Sequence, residues 1–156
     1  VLRKRKLGRN ISEITVGEKL VINAKMEDKD LLLYLGLTDD ANPLYIQHDY
    51  ASQTPFKKPI VPAVMLTGMI TSAISKYLPG PGSHITKQEI HFLKPVYHYE
   101  QLQFLFEVTE VDKECHHIAI AVEAIRQESE KVLEGTLSVC PPYALPTLDS
   151  WALENF

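Results

Sequence analysis

The chain has 156 residues, 45% hydrophobic and 23% charged, as expected of one globular domain whose core is large enough to need no cross-links. Its net charge of −4 excludes a generally basic nucleic-acid binder. The charge is uneven, because residues 1–10 hold Arg3, Lys4, Arg5, Lys6 and Arg9 and no acid.

That basic arm is too short for a helix-turn-helix, so nucleic acid is not an expected partner. It reads as a solvated terminus or as a docking element for a phosphate-bearing or acidic partner. Ile11-Ser12-Glu13 follows it, where a secretory leader would need an apolar run. Cys115 and Cys140 are therefore expected as free thiols in a cytoplasmic protein.

Residues 18–25 alternate as a strand. From Met26 the period becomes helical, with Asp28 and Asp30 in an acidic first turn and Leu31, Leu32, Leu35 and Leu37 behind them. Gly36 should weaken or end that helix and deliver the chain into a turn at residues 38–45. Asp49-Tyr50-Ala51 suits another short helix, and Phe56-Lys57-Lys58-Pro59 a surface loop.

Pro62 fits the first turn of a helix over about residues 62–78. Val64, Met65, Leu66, Met69, Ile70, Ala73, Ile74, Tyr77 and Leu78 cover nearly all its sides, which predicts a helix enclosed by protein. It contains Pro, Thr, Ser and Lys, so no membrane span is expected. Pro79-Gly80-Pro81-Gly82 stops it.

Beyond Gly82 the pattern is all strand. Residues 86–94 come first; then Leu102, Phe104, Phe106 and Val108, then Ile118, Ile120, Val122 and Ala124, then Leu133, Gly135, Leu137 and Val139 define single faces. One buried helix followed by an antiparallel meander predicts an α+β protein, a sheet curled around a central helix in the hot-dog manner. The expected organisation is an arm at 1–10, one domain at 11–140, and a tail at 141–156 that packs Trp151 and Phe156 on a surface.

The chemistry-bearing stretch is Asp40-Ala41-Asn42-Pro43-Leu44-Tyr45, followed about twenty residues later by the start of the apolar helix. A turn with one carboxylate and one amide, facing a helix N-terminus, could hold an acyl thioester: the carboxylate near the reacting carbon, the N–H groups near the carbonyl oxygen. Asx chemistry in a Pro-containing turn is the alternative reading of Asp40. His116-His117 would point to opposite faces of a strand, so no metal site is expected.

This stretch resembles the motif Asp-x-Asn-Pro-(Leu/Ile)-His of the MaoC-like (R)-specific enoyl-CoA hydratases and 3-hydroxyacyl dehydratases. The likeness extends through Tyr50-Ala51, Ile60-Val61, Leu78-Pro79-Gly80 and Phe92-Leu93-Lys94-Pro95-Val96, and so covers roughly residues 13–139. It implies the hot-dog fold, a homodimer, and an acyl-CoA or acyl-carrier-protein thioester as substrate. No cofactor beyond the thioester's own CoA or carrier is implied. The family's aspartate and histidine activate or remove a water, while an N–H at the start of the central helix polarises the thioester carbonyl.

Carried over, the catalytic set is Asp40, Asn42 and, at the histidine's place, Tyr45, a phenol with an ordinary pKa near 10 and a poor proton shuttle at neutral pH. His48, three residues on, would face the same pocket if that segment were helical. Pro62, Ala63 and Val64 stand at the substrate-binding helix start, with Pro62-Ala63 replacing the usual His-Gly. Two further glycines of the family pattern fall on Asp39 and Tyr99. The resemblance leaves two readings: a hydratase or dehydratase, or a non-catalytic acyl-thioester sensor or partner subunit of an intact hydratase. A thioesterase using a lone carboxylate is a third.

Overall fold

In the computed structural model, residues 7–144 are described; residues 3–6 of the basic arm and the tail's 145–156, Trp151 and Phe156 included, lie outside them. Strand β1 (Lys19–Ala24) opens the sheet, and after the helical region come β2 (His84–Phe92), β3 (Leu102–Asp112), β4 (His117–Arg126) and β5 (Glu130–Cys140). The order across the sheet is β1-β3-β4-β5-β2, antiparallel throughout. The alternating residues predicted to face inward do so: Phe104, Phe106, Val108, Ile118, Ile120, Leu137 and Val139 are all buried. Strands β1 and β2 run slightly differently from the residues 18–25 and 86–94 read from the sequence.

Because β1 and β2 occupy opposite edges, the chain between them must cross the sheet, and its four helices do so. These are α1 (Asp28–Thr38), α2 (Pro43–Ile46), α3 (His48–Ser52) and α4 (Ala63–Lys76). Leu66, Ile70, Ala73 and Ile74 of α4 join the inward residues of β3, β4 and β5 in a single core. This is the predicted sheet around a central helix.

Three local expectations are corrected. Gly36 does not end α1, which continues to Thr38 and stops at Asp39 in the left-handed conformation (φ 55°). One glycine costs a helix only about 1 kcal/mol, and here the Thr38 hydroxyl donates back to the Tyr34 carbonyl at 2.8 Å. Pro62 lies outside α4 as its N-cap, with ψ 135°, and the helix ends at Lys76. Nor is α4 enclosed on all sides within this chain: Ala63, Val64, Gly68, Thr71 and Ser75 form an exposed stripe.

Gly135 has a specific reason to be glycine. A Cβ there would lie 2.2 Å from the Glu89 carbonyl oxygen of the paired strand β2.

Candidate functional site

The site begins at the end of α1. The left-handed turn at Asp39 swings Asp40 back toward the helix it has just left. Its Oδ2 accepts a hydrogen bond of 2.6 Å from the Tyr34 hydroxyl, and its Oδ1 accepts a longer one, 3.3 Å, from the Asn42 N–H. The Asp40 N–H reaches the Thr38 hydroxyl at 3.3 Å. Proximity to the Asp40 carboxylate raises the Tyr34 phenol above its usual range, with a lesser push from its desolvation. Tyr45 is close enough to Tyr34 to add to that push, so two phenols and one carboxylate share this corner.

Asn42 is the N-cap of α2. Its side-chain oxygen accepts from the Leu44 N–H at 2.9 Å, and Pro43 fills the first helical position. The cap occupies the amide oxygen and leaves its NH2 to donate elsewhere.

Gln47 is extended (φ −112°, ψ 108°) and separates α2 from α3, so Tyr45 and His48 are not on one helix. His48 is exposed, and its charge is felt at His98.

Two main-chain bonds set this turn against the entry of α4. The Ile60 N–H donates to the Leu44 carbonyl at 3.1 Å and the Val61 N–H to the Val96 carbonyl at 2.8 Å. Pro62 supplies no side-chain cap, and the first intrahelical acceptor is used by Met65. The N–H groups of Ala63 and Val64 are therefore left as unpaired donors at an exposed helix start, bonded to no acceptor among the described residues. Ala63 and Val64 open the helix at the surface, and Pro62 precedes it, buried.

The loop of residues 95–100 holds these parts together. Tyr97 donates to the Phe56 carbonyl at 2.7 Å and lies under the Lys58 ammonium, 4.7 Å from the ring centroid. The Tyr99 N–H donates to the Met26 carbonyl at 2.7 Å, with Tyr99 itself left-handed (φ 66°). Arg126 clamps the loop from β4, donating to the Pro95 carbonyl at 2.9 Å and to Glu100 at 3.2 Å. Of the three positions at which the resemblance puts glycine, Asp39 and Tyr99 have the backbone that glycine favours, and Ala63 does not.

His98 stands in the same loop with both ring nitrogens shielded and unbonded. Burial lowers its pKa below the ordinary 6.5, against an opposing pull from Asp28 and the nearby Ile60 carbonyl. That carbonyl is close enough to favour the imidazolium without forming a hydrogen bond to the ring. Sequence reasoning missed Tyr34 and His98; a tyrosine one turn before the end of the helix that leads to Asp40 was the available signal for the first.

A cleft of about 530 Å³ runs along α4 between that helix and β1, lined by Met26, Met65, Gly68, Met69, Ile22 and Ala73. It begins two residues into α4 from the free N–H donors. The larger depression, about 710 Å³, lies on the outer face of the sheet among Lys19, Glu89, Glu107 and Glu134, and contains none of the site residues. Cys115 and Cys140 are free thiols, no helix is long and apolar enough to cross a membrane, and no cluster fit for a metal occurs among the described residues.

Comparison with known proteins agrees with this fold. The (R)-specific enoyl-CoA hydratase of Rhodospirillum rubrum is 32% identical over 84 residues, 54% of this chain but only 58% of that protein's length. The 3-hydroxybutyryl-CoA dehydratase of Methylorubrum extorquens is 26% identical over 130 residues, covering 83% and 82% of the two chains. The unliganded R-hydratase PhaJ1 from Pseudomonas aeruginosa superposes with a TM-score of 0.80 at 26% identity, covering 91% of this chain and 96% of that one. Residues 11–130 match the family described as MaoC like domain, and with its hot-dog fold the chain belongs to that family.

Proposed function

We propose that the protein adds water across the double bond of a 2-enoyl thioester to give the (R)-3-hydroxyacyl thioester, or removes it in reverse, on coenzyme A or a carrier protein. The observation that carries this reading is the pairing of a hydrogen-bonded Asp40 carboxylate with the free Ala63 and Val64 N–H groups of α4, linked through Leu44 and Ile60. The thioester oxygen would sit at the helix start, where unpaired N–H groups and the helix dipole favour negative charge. As the water oxygen bonds to the β-carbon, Asp40 takes the water's proton, and the electron pair of the double bond moves through the α-carbon to the thioester oxygen. The enolate then collapses as Asp40 returns that proton to the α-carbon. One carboxylate serves both steps in turn, which lets the reaction run without the histidine that Tyr45 replaces.

The cleft beside α4 would take the acyl chain along its wall of Ile22, Met26, Met65 and Met69, while Lys25, Asp30 and Lys76 add charge to its lining; its size is ordinary for a ligand site. The bare stripe on α4 and the exposed leucines of α1, Leu33 at 74% and Leu37 at 86%, favour a homodimer that covers them. With its free thiols, the protein is best placed in the cytoplasm.

Tyr45 favours a second reading, a non-catalytic acyl-thioester sensor or partner subunit. The two separate in one assay, the hydration of crotonyl-CoA followed at the enoyl absorbance. Turnover by the wild type that is lost in Asp40→Asn supports the enzyme. No wild-type turnover, with turnover gained on Tyr45→His, supports the binder.

A further inference from the structure

The hydratase reading assigns Asp40 its proton transfers but leaves open what holds a carboxylate on a surface turn in one orientation. Asn42 contributes only a 3.3 Å contact to Oδ1. The stronger partner is Tyr34, whose hydroxyl reaches Oδ2 at 2.6 Å, the length of a hydrogen bond to a charged oxygen. Resting on that reading, we propose that Tyr34 is a positioning residue for Asp40, locking its carboxylate so that Oδ1 faces the substrate.

The geometry behind this is specific. Tyr34 lies on the last turn of α1, five residues before the left-handed Asp39, and only that reversal brings a side chain at residue 40 back over residue 34. Thr38 fixes both ends of the reversal, donating to the Tyr34 carbonyl at 2.8 Å and accepting from the Asp40 N–H at 3.3 Å. The phenol is half-buried and held on a helix, so its hydroxyl is a preformed donor. Oδ2 is thereby occupied. Oδ1, with only the long Asn42 contact, keeps lone pairs for a water. The third group facing this pair is Tyr45, on α2.

The role is distinct from structural support of the turn, and Tyr34→Phe separates the two because it deletes one oxygen and keeps the ring. Wild type and Tyr34→Phe are compared for kcat and KM of crotonyl-CoA hydration at neutral pH, alongside their urea-unfolding midpoints. Positioning predicts a fall in kcat on the order of tenfold, the scale seen when an outer hydrogen-bond partner is removed, with KM unchanged. A shifted unfolding midpoint with kcat unchanged overturns the proposal and leaves the hydratase reading standing. Absence of turnover in the wild type itself overturns that reading, and Tyr34's role with it.

Discussion

The Ile60 N–H donates to the Leu44 carbonyl at 3.1 Å, and through this one bond the turn that carries Asp40 and Asn42 is registered against the entry of α4. The next residue, Val61, is bonded to Val96 in the loop that Arg126 clamps. The order of support therefore runs from β4, through a guanidinium and a loop, to the helix start and then to the carboxylate.

Arg126→Ala should release that loop. Arg126 is mostly shielded and makes charged hydrogen bonds to Glu100, Glu130 and the Pro95 carbonyl. Losing them should destabilise the fold by about 2 kcal/mol. A lower urea midpoint at an unchanged m-value checks this, and Arg126→Lys, which cannot make the forked contacts, should recover only part of the loss.

Asp39→Gly should do the opposite. Asp39 is exposed, left-handed at φ 55°, and places a carboxylate at the C-terminus of α1, where the helix dipole disfavours negative charge. Glycine removes both costs at the price of a more flexible unfolded chain, for a net gain of about 0.5–1 kcal/mol. Thermal unfolding should shift upward, and a decrease would show that the Asp39 side chain makes a contact that outweighs them.

His98 gives the fold a pH dependence of known sign. Its folded-state pKa lies below the 6.5 of a free imidazole because burial opposes the charge. Above 6.5 the ring is neutral in both states and no penalty applies. As pH falls through 6.5 the unfolded chain takes up a proton before the folded one, so stability drops until the lowered folded pKa is passed. His98→Gln should show a smaller loss than wild type between about pH 7 and pH 5 in denaturant titrations.

Gly135→Ala tests the sheet. The new methyl would strike the Glu89 carbonyl oxygen at 2.2 Å and the Ile90 Cα at 2.9 Å, both backbone atoms of β2 that cannot rotate away. A loss of about 3 kcal/mol is expected, with β2 displaced from β5. Amide exchange along residues 84–92 should quicken more than in β3 or β4.

What the sequence made legible is what depends on local rules. Phe104, Phe106 and Val108 alternate whatever their neighbours do, and Asn42-Pro43 starts a helix by its own cap. The Tyr34–Asp40 bond was hidden because a spacing of six suits neither face of a helix; it forms only through the left-handed conformation of Asp39, which an aspartate does not announce. Gly36 misled for the complementary reason: its cost is small beside the contacts of Leu31 and the Thr38 back-bond. The exposed stripe on α4 was missed because a count of apolar residues includes Val64 and Tyr77, which this chain leaves exposed.

Met26, Met65 and Met69 are the only methionines of the chain, and all three line the cleft beside α4. Oxidative damage to thioethers is therefore confined to one wall of the molecule. Met65 and Met69 are half-buried and reachable by peroxide, whereas Met26 is shielded. Each sulfoxide would set a polar, chiral oxygen on the methionine wall of the cleft, the one at Met65 within the first turn of α4. Repair by sulfoxide reductases would restore the thioethers and with them the original surface of the cleft.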